Sequence, residues 1–377
     1  MVSLTSARGR LRLPVAASRT RSTTRALGAL GALLTVTVAL AGCSASADAT
    51  GKADAGATAD AAATGSDGGK RSGDTAPAPR LRIAAAGSLA LSVPLTGLAE
   101  SPEVARLTDG VTTTQVATPD AFRALLTSGR ADVATLPTLA AANLANRGVG
   151  VRLLGVVDAD LVKVIGPAGA KGWPALRGKT VHVPFKGDAA DVTFRDLAQR
   201  AGLTPDEDFT VRYATGLPEL VGAVASGTAE FAVLPEHFAT AARQQAPGGA
   251  EKTAEVLDLQ DEWERTTGGT MLAQSAVIVR TEFATAHPEL VKALRTHFAR
   301  TGERLSSGKA TDAELTALAK TSHAPEPLVS ALLPALDVRF VEPGPARADI
   351  TALLERALKS APRAVGGKLP GDGFYGD

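Results

Sequence analysis

The sequence predicts an α/β protein, and two observations carry that expectation. From Leu81 onward, short apolar runs alternate with helical stretches. Several of these runs are apolar throughout, as strands buried on both faces of a sheet are. A ten-residue segment of this pattern also returns later in the chain, which raises the expectation of two lobes of similar topology.

Composition excludes several classes. The 377 residues are 45% hydrophobic, enough for two or three domains and a large core. One Cys excludes a disulfide scaffold and a Cys-built zinc or iron–sulfur site; the five His are scattered, so neither a metal nor a cofactor is expected. With 40 Lys+Arg against 39 Asp+Glu the chain is not a mainly electrostatic nucleic-acid binder.

The amino terminus reads as an address. Residues 1–25 are basic and rich in Ser and Thr, Ala26 to Ala41 are small or apolar without a charge, and Leu40-Ala41-Gly42-Cys43 follows. Sixteen helical residues reach about 24 Å, short of a ~30 Å hydrocarbon core. Residues 1–42 are therefore expected to be a signal peptide. Leu-Ala-Gly-Cys resembles the lipobox of bacterial lipoproteins, which implies a diacylglyceryl group on Cys43, cleavage before it, and a position on the outer face of the cytoplasmic membrane. An ordinary secretory signal with a chance Cys is the alternative. Residues Ser44 to Arg80 lack aromatic, Leu, Ile and Val residues and read as a disordered tether, so residues 43–80 form the anchored linker.

Strands are expected at Leu81 to Ala86, Asp132 to Leu136, Val151 to Val157, Leu161 to Ile165, Thr180 to Val183, Phe209 to Tyr213, Glu230 to Leu234 and Ala276 to Val279. Helix punctuation lies between them. Thr118-Pro119-Asp120 supplies a cap, a first-turn Pro and an acid before a helix that Gly129 ends; Asp188 caps another that ends near Gly202; Pro288 opens a third. The repeated segment is Ser128 to Pro137, Ser-Gly-Arg-Ala-Asp-Val-Ala-Thr-Leu-Pro, against Ser226 to Pro235, Ser-Gly-Thr-Ala-Glu-Phe-Ala-Val-Leu-Pro. Helix, Gly stop and strand look alike anywhere in an Ala-rich chain, which accounts for part of the likeness; two similar lobes account for it too. Ligands collect outside the carboxyl ends of strands in open α/β sheets, so two facing lobes would place Pro137-Thr138 and Pro235-Glu236 on opposite walls of one cleft.

These features together resemble the nitrate/sulfonate/taurine-type family of ABC-transporter substrate-binding proteins, with the type II periplasmic-binding-protein fold. The marks are Ile83 to Ser88, the Ser-Gly-x-Ala-Asp-Val-Ala segment, Leu176-Arg177-Gly178-Lys179-Thr180-Val181, Ala201 to Pro205 with Asp208-Phe209-Thr210, and Leu234-Pro235-Glu236. Leu257 to Trp263 and the tail Gly366 to Tyr375 resemble a lipoprotein branch of it. Three departures leave the ligand open: an aliphatic first loop, His237 where Pro is usual, and Gly371 and Gly373 in the tail. The resemblance implies two lobes, each a mixed sheet flanked by helices, joined by two crossing segments. Lobe 1 would hold residues 81–165 and 266–377, and lobe 2 residues 166–265. It implies a receptor that closes around a small organic molecule and delivers it to an ABC permease with a cytoplasmic ATPase; a monomer is the default expectation. A ligand-dependent sensor or adaptor is the alternative, and a small-molecule synthase of the same fold a third.

Ligand contacts are expected at the loop Gly87, Ser88 and Leu89, where free amides at a helix start favour anions or carbonyls, although a simple cap would also explain Ser88. Lys186, Gly187 and Asp188 hold the matching place in lobe 2. Lys186 suits an anionic group, whereas Asp188 as the cap repels one. Pro137, Thr138, Thr215, Pro235 and Glu236 lie just past strands, where polar groups can orient a ligand; Glu236 could equally serve its own helix turn. Met271 could line the pocket or fill core. Trp263, Trp173 and Tyr375 are assigned to packing, and few aromatics argue against a sugar. No catalytic residue is expected: Gly172 to Thr180 is one residue too long for a P-loop, and Ser306 to Lys309 lacks the partners of a Ser-x-x-Lys enzyme.

Overall fold

Two mixed β-sheets organise the chain in the computed structural model, which describes residues 78–116, 118–159 and 162–376. The signal peptide, Cys43 and nearly all of the tether lie outside the described residues. The strands are β1 Leu81–Ala85, β2 Val111–Gln115, β3 Val133–Pro137, β4 Val151–Asp158, β5 Val162–Pro167, β6 Thr180–Pro184, β7 Thr210–Ala214, β8 Phe231–Pro235, β9 Thr253–Asp258, β10 Ser275–Arg280 and β11 Arg339–Val341. The first sheet has the order β11-β4-β10-β3-β1-β2 and the second β7-β6-β8-β5-β9.

The two orders are the same topology. With β11 set aside, β2, β1, β3, β10 and β4 correspond to β7, β6, β8, β5 and β9, and each pairing keeps its direction: two parallel, then two antiparallel. In each sheet the fourth strand arrives from the other, since β5 follows β4 and β10 follows β9. The repeated sequence segment is therefore the third strand of each sheet with the turn before it. Its acid has the same use twice. Buried Asp132 accepts from Arg82 Nε and Nη2 at 2.8 and 2.7 Å, and Glu230 meets Lys179 Nζ at 3.3 Å, each base standing at the start of the neighbouring strand. The expected division at 165/166 falls inside β5, which belongs wholly to the second sheet; the chain crosses earlier, after β4 ends at Asp158.

Helix boundaries follow local chemistry. Thr118 caps Pro119–Thr127 by accepting from Ala121 N at 3.3 Å, and Gly129 turns the chain at φ +65°. Asp188 caps Ala189–Arg200, accepting from Asp191 N at 2.9 Å, and Pro288 opens Pro288–Ser306. Three strands carry no apolar run in the sequence: β2, β9 and β11. All three are sheet edges, where one side needs no burial, and β2 is almost wholly exposed.

The described residues belong to one compact unit with its own core. One hydrophobic cluster runs through both sheets. It joins Leu136, Leu153 and Ile278 of the first to Val164, Val181 and Phe231 of the second through Leu272, Ala273 and the carboxyl-terminal helix Pro343–Ser360. Among the described residues no helix is long and apolar enough to cross a membrane, and no His, Cys, Asp and Glu cluster could hold a metal.

Candidate functional site

The carboxyl ends of the parallel strands present two sets of loops. From the first sheet come Gly87–Ser88 after β1, Gln115 at the end of β2 and Thr138 after β3; from the second come Phe185–Asp188, Thr215–Gly216 and Glu236–His237 after β6, β7 and β8. Two contacts bring the sets together. Gln274, just before β10, receives Thr138 N at its carbonyl (2.8 Å) and donates from Nε2 to Thr193 Oγ1 of the helix Ala189–Arg200 at 3.0 Å. On the other flank, a Cβ at Gly87 would stand 3.7 Å from Thr321 O. Thr321 is in the helix Asp312–Ser322, and the turn His323–Pro325 that follows it, with Leu328 of the next helix, shares a cavity with Phe185, Gly216 and His237.

The corresponding helix starts carry the same oddity. Thr138 and Glu236 occupy equivalent first positions, both are buried, and each has a side-chain oxygen without a hydrogen-bond partner: Thr138 Oγ1 and Glu236 Oε2. The other Glu236 oxygen accepts from Thr240 Oγ1 at 2.6 Å and Arg243 Nη2 at 3.2 Å. Pro137 and Pro235 end their strands half-buried beside them. Buried polar atoms cost free energy unless paired, so such orphans mark places where a further group can be received.

Other expected residues have narrower uses. Ser88 makes no side-chain cap bond, and the helix it opens, Leu89–Ser92, is a single turn before a 3₁₀ segment; Leu89 sends its side chain into the core and can offer only backbone. The Thr215 amide and hydroxyl both go to Glu219, which leaves neither free. Met271 is half-buried against the cluster that joins the sheets, and its amide serves Asp349. Trp263 is fully buried and Trp173 donates to Glu262 at 2.7 Å, the packing roles expected of them.

Around Lys186 the loop is electrostatically matched. Gly187, at φ +78°, donates to Asp191 Oδ2 at 2.7 Å, and Asp191 also receives Tyr213 OH at 3.1 Å and Arg195 Nε at 3.2 Å. Lys186 Nζ lies exposed, 5.7 Å over the Tyr213 ring. Burial, with the nearby Asp191 charge adding to it, pushes the Asp188 carboxyl up to about 7 despite its backbone N–H donors.

Three wall residues escaped the sequence reading as binding groups. Phe185 is 45% exposed, with left-handed backbone at φ +35°; Phe238 lies against His237, ring centroids 4.3 Å apart; and His323 has φ +55°. Only His237 left a trace in the sequence, as the residue standing where Pro was expected. Burial lowers its imidazole to about 4.

A second cavity, at the amino ends of β1 and β3, is lined by Arg80, Arg82 and Arg280 around Asp132 and lies at the far end of the strands from these loops.

No family model matches the sequence, and no curated protein matches it. Solved structures do. An ABC transporter protein from Parabacteroides distasonis superposes with a TM-score of 0.64 at 21% identity, covering 78% of this chain and 97% of that one. The periplasmic aliphatic sulphonate binding protein SsuA of Escherichia coli gives 0.61 at 14% identity, over 77% and 89% of the two chains. The alkanesulfonate-binding protein SsuA of Xanthomonas axonopodis pv. citri, bound to MOPS, gives 0.54 at 15%, over 79% and 96%. With two sheets of one topology, crossed twice and opening their strand ends toward each other, the chain has the type II periplasmic-binding-protein fold.

Proposed function

We propose that the chain is an extracytoplasmic solute-binding receptor, anchored through a lipid on Cys43, that delivers a small organic molecule to an ABC permease driven by a cytoplasmic ATPase. The observation that supports it most is the double set of strand-end loops with matched, buried, unpartnered oxygens at Thr138 and Glu236. Loops from two sheets can close on a ligand as one sheet turns against the other about the two crossings, and closure is a signal a permease can read. The work is binding, with no bond made or broken. The solved relatives that superpose on it are described as ABC-transporter and sulfonate-binding proteins, which fits this reading. The receptor acts as a monomer on the outer face of the membrane.

Native mass spectrometry of the chain from Ser44 on, purified from its own cells, tests the reading. A stoichiometric small molecule that co-purifies with the chain is the expected result. A protein that stays empty, is indifferent to sulfonates, amines, pyrimidines and amino acids, and cross-links to a sensor kinase in place of a permease would overturn it.

A further inference from the structure

The cavity that the second-sheet loops share with the turn His323–Pro325 and Leu328 has a chemistry of its own. Its volume is about 450 Å³, within the range of small-molecule sites. Phe185, Leu217, Val221, Phe238 and Leu328 supply apolar wall, and among the described residues no Asp, Glu, Lys or Arg lines it. A formal charge placed there would lose part of its hydration with no side-chain charge in the wall to compensate it. Its polar side chains are His237, His323 and Gln245; His323 and Gln245 are exposed, whereas His237 is 5% exposed and its Nε2 has no hydrogen-bond partner.

The walls belong to both halves of the molecule. Phe185, Gly216 and His237 follow strands of the second sheet, whereas His323, Ala324 and Pro325 connect the helices Asp312–Ser322 and Glu326–Leu336, which pack on the first, and Leu328 lies in the first turn of the latter. Two of the four non-glycine residues with left-handed backbone among those described, Phe185 and His323, stand in this one wall. Such conformations cost about 1–3 kcal/mol each and persist where surrounding structure or function holds them. Phe185 is also the one large apolar side chain among the described residues that is left exposed. An aromatic held out over a cavity it does not fill is suited to covering an apolar guest.

We propose that this cavity is the ligand seat, and that the ligand is a small, uncharged, largely apolar molecule with one hydrogen-bonding group for His237. The proposal deepens the receptor reading by naming the class of cargo, and rests on that reading for the cargo role alone. It departs from an anionic ligand of the sulfonate kind. A neutral imidazole serves such a guest as donor or acceptor according to its tautomer.

Titration of the chain from Ser44 on with N-phenyl-1-naphthylamine, an uncharged two-ring amine with one N–H, tests it by fluorescence. Saturable enhancement with one site per chain is expected. Ala241→Trp, which fills the cavity from the helix Glu236–Gln245, should weaken binding by about tenfold or more, and His237→Phe by a smaller factor. Phe185→Ser changes an exposed residue that contributes nothing to the core, so a folding defect does not confuse its result; it too should weaken binding. Ethanesulfonate should leave the titration unchanged. Enhancement that does not saturate, that survives both Ala241→Trp and Phe185→Ser, or that ethanesulfonate displaces would overturn the proposal. The titration reads binding alone, so a failure of the delivery reading, seen as cross-linking to a sensor kinase and not a permease, is distinguished from a failure here.

Discussion

At the scale of single residues, two titratable groups, half-buried Asp188 and buried His237, pull stability in opposite directions. Asp188 has a folded value of about 7 against an ordinary 3.8, so the folded state holds the proton more tightly. Its effect on stability is therefore favourable at low pH and is lost as pH rises from about 4 to about 7, by on the order of a few kcal/mol. His237 is lowered to about 4 from 6.5; its contribution is present above 6.5 and is lost as pH falls toward 4. The wild-type profile mixes the two, so the variant isolates one. Asp188→Asn keeps a capping oxygen and removes the titration. The stability difference between wild type and Asp188→Asn, from urea unfolding at pH 4 to 7.5, should shift against the wild type with rising pH; a difference that stays flat would refute the assignment. The sequence marked Asp188 as a cap because a cap is a local matter, settled within three residues. It could not mark the burial that raises its carboxyl, which comes from packing around the loop.

At the scale of elements, the carboxyl-terminal helix Pro343–Ser360 packs into the hydrophobic cluster that runs through both sheets. Arg356 lays its guanidinium over the Trp263 ring at 4.1 Å and donates to Asp196 Oδ2 at 3.2 Å, thereby joining the helices Leu259–Thr267 and Ala189–Arg200. A desolvated cation–π contact contributes about 2 kcal/mol, and the ion pair is largely buried. Arg356→Met should therefore lower the unfolding free energy by about 1–3 kcal/mol, measured by chemical denaturation. No loss would mean that apolar packing alone fastens this helix. The edge strand β11 depends on a missing side chain: a Cβ at Gly155 of β4 would come within 2.6 Å of Val341 O. Gly155→Ala should cost about 1–3 kcal/mol by overpacking and release amide protection in residues 339–341, read by hydrogen exchange. Central strands were legible from their apolar runs. The edges β2, β9 and β11 were not, because a strand paired on one side needs neither two buried faces nor an apolar pattern.

At the scale of the whole molecule, the proposed lipid anchor on Cys43 can be tested apart from the folded body. Replacing Cys43 with Ala removes the thiol that two acyl chains would occupy, and one chain or none gives at most marginal membrane binding. The variant should appear in the medium or soluble fraction where the wild type sediments with membranes, as followed by immunoblot. Sedimentation unchanged by the substitution would exclude Cys43 as the attachment point. A cargo that binds only the folded body should also raise its stability by ~2.7 kcal/mol at a hundredfold excess over Kd, seen as a thermal shift. The repeated segment forecast two similar halves, and the paired sheet orders show why it recurs: the same strand, with the same acid–base anchor at its start, is built twice.

The sequence by itself determined the α/β grammar, the caps and turns, the doubling of the third strand, and which strand ends would carry polar groups at Thr138 and Glu236. These are consequences of neighbours close in the chain or of burial on both faces of a strand. Only the tertiary structure decided that Thr215 is spent on Glu219, that Leu89 turns into the core, and that Phe185, His237 and Leu328 share one uncharged cavity. Phe185 and Leu328 stand more than a hundred residues apart in the chain, on opposite sides of the second crossing. A cavity wall of that kind is made by where the sheets come to rest, and no periodicity along the chain records it.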